Sequence, residues 1–469
     1  MTSKALATLS IAAMGGPSLV LGLLVGIGFI VVATTRCKLH PFLALIVTAY
    51  AMGLYSGLDP MQTVAALTGG VGQTVGHIGI VIACGSIIGM VLERSGCAVV
   101  MANTLMRWVG EARSLLAMSL TGALVSIPVF CDSGYVILSP LARSLARRTG
   151  QSLAPFVVAL SMGLYATHCL VPPTPGPLAA AGQLRADLGV VIMLGLVVTV
   201  PIIAVTYAFA RIYGRRILLD PVPVGLQSVD APVSADVPSV GTRSPGAVAA
   251  FSPIFLPIFL IALQSIAALP GKPFGEGQLQ MLVRFVGNAE TALVLGVLLM
   301  AWVSRGYGRV AFGNWAAEGL RDGGTVVLIV AAGGALGAVL RETTMAQFVG
   351  ESLADLDLGR FNILLPFIVA SGLKIAIGSS TMAMITTASI VSHLLPAMRL
   401  SEGFGPSLAT LAIACGAMVA SHVNDAYFWV ITQMSGMTIS QGYRLITVGS
   451  ILAGVTGIAM VVLLSLILL

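Results

Sequence analysis

Four short polar strings interrupt an otherwise apolar chain, and they hold the residues able to do chemistry. They are Cys131-Asp132-Ser133-Gly134, Thr167-His168 leading into the run Val171 to Pro177 (VPPTPGP), Gly378-Ser379-Ser380-Thr381, and Ser421-His422 with Asn424 and Asp425. Irregular backbone survives at membrane depth only where protein buries it or water reaches it. In each break the released amides and carbonyls supply donors and acceptors for a bound anion. The side chains of Ser133, Thr167, Thr174, Ser379, Ser380, Thr381, Ser421 and Asn424 add neutral partners suited to a polyhydroxy acid. Together with Gly134 and Gly378, these strings are read as one central site for a small organic acid anion.

The same strings carry groups that could move a proton. An unpaired carboxylate at membrane depth costs about 3 kcal/mol or more. Asp132 and Asp425 therefore either take up and release a proton or are satisfied by amides at a helix break. His168 and His422 pose the same choice between a structural imidazole and a proton carrier. Asp132, His168 and Asp425 are the proton-coupling candidates. Lys374, four residues before the Gly378 string, is either a partner for a substrate carboxylate or a structural charge, snorkelling or paired with an aspartate. Glu93-Arg94, Arg341-Glu342 and Glu290 read as span ends with solvated heads.

These strings need long apolar elements to position them. Of 469 residues 9% are charged and 57% hydrophobic, and the mean hydropathy is +0.99; soluble domains are about a quarter charged. Apolar runs of about 16 to 25 residues recur from end to end, each able to cross a hydrocarbon core of about 30 Å. The fold class is an all-α polytopic membrane protein. Long continuous runs, 54 glycines and 6% aromatic residues argue against an outer-membrane barrel. The net charge of +6 comes from basic residues set singly at segment ends, which fits a positive-inside bias and no nucleic-acid partner. Six cysteines without paired spacing read as free thiols, and neither a metal site nor a cofactor is expected.

Full spans are expected to begin near Pro17, Pro41, His77, Ser152, Leu188, Phe251, Ala289, Gly323, Pro406 and Leu445. The first run, Pro17 to Thr35, is too long for the apolar core of a cleaved signal. The stretch 211–250 opens with Arg211, Arg215 and Arg216 and holds five prolines among Val, Ser and Asp. It reads as a flexible cytoplasmic linker between an N-terminal half, 1–210, and a C-terminal half, 251–469.

The halves resemble each other. GSIIGMVLERSG from Gly85 matches GGALGAVLRETT from Gly333, VFCDSGYVI from Val129 matches AIGSSTMAM from Ala376, and LYATHCLV from Leu164 matches MVASHVND from Met418. Three matches in one order indicate an internal duplication. If the segments from Ser114 to Pro140 and from Phe361 to Pro396 are re-entrant hairpins, ten full crossings remain, and about 16 of the 24 basic residues fall on the cytoplasmic side with both termini outside. The first repeat then runs opposite to its copy. The expectation is two inverted-topology repeats, each with a re-entrant hairpin and a broken transmembrane helix.

With FCDSGYVILSPLA at Phe130, ATHCLVPPTPGPLAAAG at Ala166, GSSTMAMITTA at Gly378 and SHVNDAYFWV at Ser421, the chain resembles the gluconate:proton symporter (gluconate permease) family over nearly its whole length. The resemblance implies an ion-transporter-superfamily fold with two inverted repeats, a homodimer in the cell's inner membrane, and proton-coupled uptake of sugar acids or other small hydroxy acids. It places the family motifs on Asp132 and Gly134, on Thr167, His168 and Pro172 to Pro177, on Gly378 to Thr381, and on Ser421 to Asp425. Family members often carry Gln at the position of Ile377 and Ser-Gly at that of Ala426-Tyr427, so a more apolar and more filled pocket is expected here.

The leading function is thus a proton-coupled secondary transporter working by alternating access, and not an enzyme. No nucleotide-binding P-loop string is present. A passive organic-anion channel is an alternative. An intramembrane hydrolase built on Ser133, His168 and the aspartates is a weaker one, since neither HExxH nor GxSxG occurs.

Overall fold

The computed structural model describes residues 16–110, 113–220, 245–267, 277–342, 359–423 and 425–469. Regular structure among them is all helical. In chain order the N-terminal helices are α1 (Gly16–Thr35), α2 (Pro41–Tyr55), α3 (Pro60–Arg94), α4 (Cys97–Val109), α5 (Ser114–Val125), α6 (Cys131–Thr149), α7 (Leu153–Leu170), α8 (Pro175–Leu184) and α9 (Leu188–Ile212). The C-terminal ones are α10 (Ala247–Ala267), α11 (Gln278–Gly287), α12 (Ala289–Val303), α13 (Arg309–Arg341), α14 (Leu364–Ile377), α15 (Ser380–Val391), α16 (Gly405–Gly416), α17 (Ala426–Ser435) and α18 (Val448–Leu468).

Every expected span has a helix, but not every one is a full crossing by length. Among the described residues six helices are long and apolar enough to cross a membrane, or seven if the bent pair Pro60–His77 and Gly79–Arg94 is one span. The ten crossings expected from the sequence are therefore not matched by this criterion. The 15 residues of α2 reach only about 22 Å. The two spans expected from His77 and Gly323 instead belong to helices of 35 and 33 residues. Helix α3 starts early because Asp59 caps it, its Oδ1 accepting from the amides of Met61 (2.9 Å) and Gln62 (3.4 Å), with Pro60 at the first helical position.

The bundle centre is built from short helices. The segment Leu153–Leu184, α7 and α8 with the break between them, is buried along its whole apolar window. Prolines at 172, 173, 175 and 177 remove four amide donors there, and the helix stops at Leu170. Small residues bring α5 against α7: a Cβ on Gly122 would lie 2.6 Å from the Leu160 carbonyl oxygen. Around this centre α3 packs on α13, α2 on α13 and α12 on α3. Further packed pairs are α5 with α7 and α14 with α16, α9 with α7 and α18 with α16, and α8 with α15 and α17 with α6.

Two local findings differ from expectation. Arg94 is the span end expected and is half-exposed, but its head is also ion-paired: its Nη2 meets Glu318 Oε1 on α13 at 2.5 Å. The stretch expected to be linker keeps structure at its start, since α9 runs to Ile212 and the Ser152 hydroxyl donates to the Ile217 carbonyl at 2.8 Å. Residues 221–244, most of that linker, lie outside the described residues.

Candidate functional site

The first turns of α6, α15 and α17 and the last turn of α7 converge on a cavity of about 220 Å³. Its lining includes Asp132 from α6, Tyr165 and His168 from α7, Ile377 and Gly378 at the end of α14, Ser379, Ser380 and Thr381 at the start of α15, and Asp425 with Tyr427 at the start of α17. All four polar strings picked from the sequence therefore send residues to one place. Helix amino termini carry unpaired amides and a partial positive charge, so their convergence favours an anion. Helix α6 has no side-chain cap, which leaves its first amides available to a ligand.

The break before α15 is shaped by Gly378, whose φ of 86° lies in the left-handed region that an L side chain rarely adopts. Ser379 then caps α15, its Oγ accepting from the Met382 amide at 3.3 Å. The break before α17 uses Ala420 at φ 56° and is tied to the last helix: the Ser421 amide donates to Ser450 Oγ (2.9 Å) and Thr447 Oγ1 donates to the Ser421 carbonyl (2.6 Å). Thr447 closes a π-helical turn, Tyr443–Thr447, which leads into α18.

One ion pair fixes the floor of the cavity. Lys374 is fully buried, and its Nζ donates to Asp425 Oδ2 and to the Gly378 carbonyl, both at 2.6 Å. Asp425 Oδ2 also accepts from Ser421 Oγ at 2.5 Å, and its Oδ1 accepts from the Tyr427 amide at 3.1 Å. Of the alternatives for Lys374, the aspartate-paired structural charge is the one found. Asp425 has its charge paired and both of its oxygens hydrogen-bonded.

Asp132 and His168 are in the opposite condition. Among the described residues, Asp132 Oδ1 and His168 Nδ1 are buried and have no hydrogen-bond partner. The His168 ring packs against Phe130 with centroids 5.9 Å apart. Two titratable groups with open valences thus face the same small cavity, beside one aspartate whose two oxygens are both hydrogen-bonded.

The remaining described candidates do not line the cavity. Thr167 Oγ1 donates to the Ala123 carbonyl on α5 (2.7 Å), and Thr174 Oγ1 donates to the carbonyls of His168 (2.8 Å) and Val171 (3.0 Å) that the prolines left without donors. The Ser133 side chain lies beside Glu93 on α3. Gly134 serves packing, because a Cβ there would sit 2.7 Å from Leu164 Cδ2. Ser421 holds Asp425, and His422 Nε2 lies 3.2 Å from the Ile375 carbonyl, away from the cavity. Asn424 is outside the described residues.

The wall that sequence reasoning only partly anticipated is aromatic. Tyr165 Oη lies 2.7 Å from Ser380 Oγ and donates to the Ala417 carbonyl at 3.2 Å, linking the two halves. Tyr427 sends its hydroxyl out of the cavity to the Ser161 carbonyl (2.8 Å) and packs its ring, tilted by 35°, 5.4 Å from that of Tyr165. Ile377 lines the cavity as well. Tyr165 carried no sequence signal, since it stands inside an apolar run.

The family profile described as GntP family permease matches residues 18–467. The chain belongs to the GntP family of permeases. It is a membrane transporter and not an enzyme, as the family resemblance of its motifs implied. Among GntP relatives, the gluconate permease of Pseudomonas aeruginosa is 33% identical over 96% of this chain and 98% of its own length. The D-serine transporter DsdX of Escherichia coli K12 is 33% identical over 94% of this chain and 97% of its own, and the L-idonate transporter of the same strain is 27% identical over 92% and 96%. The crystal structure of the Alcanivorax borkumensis YdaH transporter shares the fold with a TM-score of 0.66 at 15% identity, covering 90% of this chain and 98% of that one. Neisseria gonorrhoeae MtrF, described as one of a class of antimetabolite efflux pumps, does so with a TM-score of 0.66 at 16% identity over 93% and 97%.

Proposed function

We propose that this GntP permease is a proton-coupled importer of a small hydroxy acid, working by alternating access around the cavity between α6, α7, α15 and α17. The observation that carries the reading is the pairing of Lys374 with Asp425 while Asp132 and His168 keep open valences in the same cavity. The paired charges neutralise each other and shape the floor. The substrate carboxylate is met by the first amides of α6 and by the Ser379 and Thr381 hydroxyls. A bare Asp132 carboxylate repels that anion, and a proton on Asp132 removes the repulsion and supplies a donor. Anion and proton are therefore bound together.

The matched packing pairs support two structural repeats: α5 with α7 corresponds to α14 with α16, α9 with α7 to α18 with α16, and α8 with α15 to α17 with α6. In the proposed arrangement the repeats are inverted, α5–α6 and α14–α15 are the re-entrant hairpins, and α7–α8 and α16–α17 are the broken spans. The divisions 1–210, 211–250 and 251–469, a cytoplasmic linker, a homodimer and an inner-membrane location belong to the same reading. An Escherichia coli K12 relative at 31% identity is named an inner membrane permease.

The substrate is proposed to be shorter than gluconate, because Ile377 and the Tyr427 ring both form cavity wall. A second reading has its own observation: the open carboxylate oxygen of Asp132 suits an ammonium, and a relative at 33% identity is a D-serine transporter. Labelled gluconate, glycerate and D-serine, offered to proteoliposomes under a proton gradient, a sodium gradient or neither, distinguish these cases. Accumulation of an acid only under the proton gradient is the expected result. Accumulation under sodium alone, or equilibration insensitive to either gradient, contradicts it.

A further inference from the structure

A second polar cleft lies at the far end of the helices that line the central cavity. Helices α8 and α15 pack on each other, and both begin beside the cavity, after the breaks at Thr174 and Ser379. Their other ends, about 15 to 18 Å away at 1.5 Å per residue, meet the first half of α3 and the glycines of α13. There Gln73, His77, Gln183, Arg185 and Ser392 surround a pocket of about 50 Å³. That is less than a quarter of the central cavity's volume, so the pocket suits a small polar group.

The lining is built for an anion. Among the described residues that line it are one arginine, one imidazole, two side-chain amides and no carboxylate. Gln183 is fixed, its Oε1 accepting from Ser389 Oγ at 2.9 Å and its Nε2 donating to the Val330 carbonyl at 3.3 Å. Gly333, Gly334 and Gly337 keep the α13 wall bare; a Cβ on Gly333 would lie 2.9 Å from Gln183 Nε2. The cleft is on the face away from the linker, since α9 starts beside Arg185 and ends 25 residues later next to Gly214.

The corresponding place at the other end of the bundle is cross-braced. There α6 and α17 pack together, Arg143 Nη2 donates to the Met434 carbonyl at 2.5 Å, and Tyr135 Oη meets Ser435 Oγ at 2.5 Å. One arginine is spent on a cross-brace, whereas Arg185 lines an open cleft.

We propose that the cleft around Arg185 is an anion-binding station that receives the carboxylate of the transported acid on its way to the central cavity. The station rests on the reading that the chain carries an organic acid, so its test has a readout independent of transport. In the purified full-length chain carrying Cys37→Ser, which removes the exposed thiol and leaves the buried ones, Ser392→Cys is modified with a sulfonate-bearing and a trimethylammonium-bearing methanethiosulfonate. Gln73→Cys provides the same readout at a second position of the cleft.

The sulfonate reagent is expected to react about fivefold faster than the cationic one. That ratio should fall to about one in Arg185→Gln, return in Arg185→Lys, and persist in about 0.5 M KCl, where long-range attraction is screened. Uptake by Arg185→Gln should show KM raised about fivefold or more with kcat within twofold. A ratio unchanged by Arg185→Gln, or one abolished by salt in the unmodified cleft, overturns the station whatever the chain transports. A ratio that collapses in Arg185→Gln supports the station even if gluconate, glycerate and D-serine are all refused, a result that would count against the transport reading alone.

Discussion

Lys374 and Asp425 stand 51 residues apart in sequence and 2.6 Å apart in space, and both are buried. The pair leaves the cavity with a charge-neutral floor. Removing one member strands the other at membrane depth, which costs about 3 to 5 kcal/mol in comparable buried pairs. Lys374→Met and Asp425→Asn should each lower the melting temperature of the detergent-purified chain sharply, and the double variant should recover part of the loss. A double variant less stable than either single would show that the two charges do not compensate each other.

Gly122 gives a prediction about packing alone. Its missing Cβ lets the Leu160 carbonyl of α7 approach, and backbone cannot move aside as a flexible side chain can. Gly122→Ala should cost about 1 to 3 kcal/mol through overpacking, read as a lowered melting temperature. Gly72→Ala, with open space around the added carbon, should melt like the unmodified chain.

Selectivity should follow the cavity wall. In inhibition of uptake by hydroxy acids of three to six carbons, the short acids should outcompete gluconate. Ile377→Gln, which offers an amide to a distal hydroxyl, should move the ranking toward longer acids by about 1 to 3 kcal/mol, or about 5- to 150-fold in relative inhibition constants. Gluconate outcompeting the short acids in the unmodified chain would refute the filled-pocket account.

The helix breaks were legible because backbone chemistry writes them into sequence. Proline density before Pro177, and Gly378 followed by a capping serine, leave few other conformations. The convergence of the four strings was legible from their repeat-equivalent places. What each residue does there was not. His168 and His422 occupy matching positions, yet one faces the cavity and the other the Ile375 carbonyl, because the segments after them differ: prolines in one half, a capping aspartate in the other. Thr167, Thr174 and Ser421 looked like ligand hydroxyls but satisfy carbonyls or a carboxylate that the breaks expose. The start of α3 was written in Asp59-Pro60 and was obscured by the weaker hydropathy of the turns that follow. The partnership of Lys374 with Asp425, and the place of Tyr165, depend on tertiary contact that no local pattern encodes.

The most direct test of the account is Asp132→Asn, which preserves shape and removes the ability to carry a proton. Proteoliposomes holding the unmodified chain or this variant are given a labelled acid that the unmodified chain accumulates. Net accumulation under an inward proton gradient and counterflow exchange without a gradient are then measured side by side. The account predicts that the variant loses gradient-driven accumulation and keeps a substantial part of exchange. Accumulation in Asp132→Asn with the same pH dependence as the unmodified chain would contradict it and move the proton to another residue.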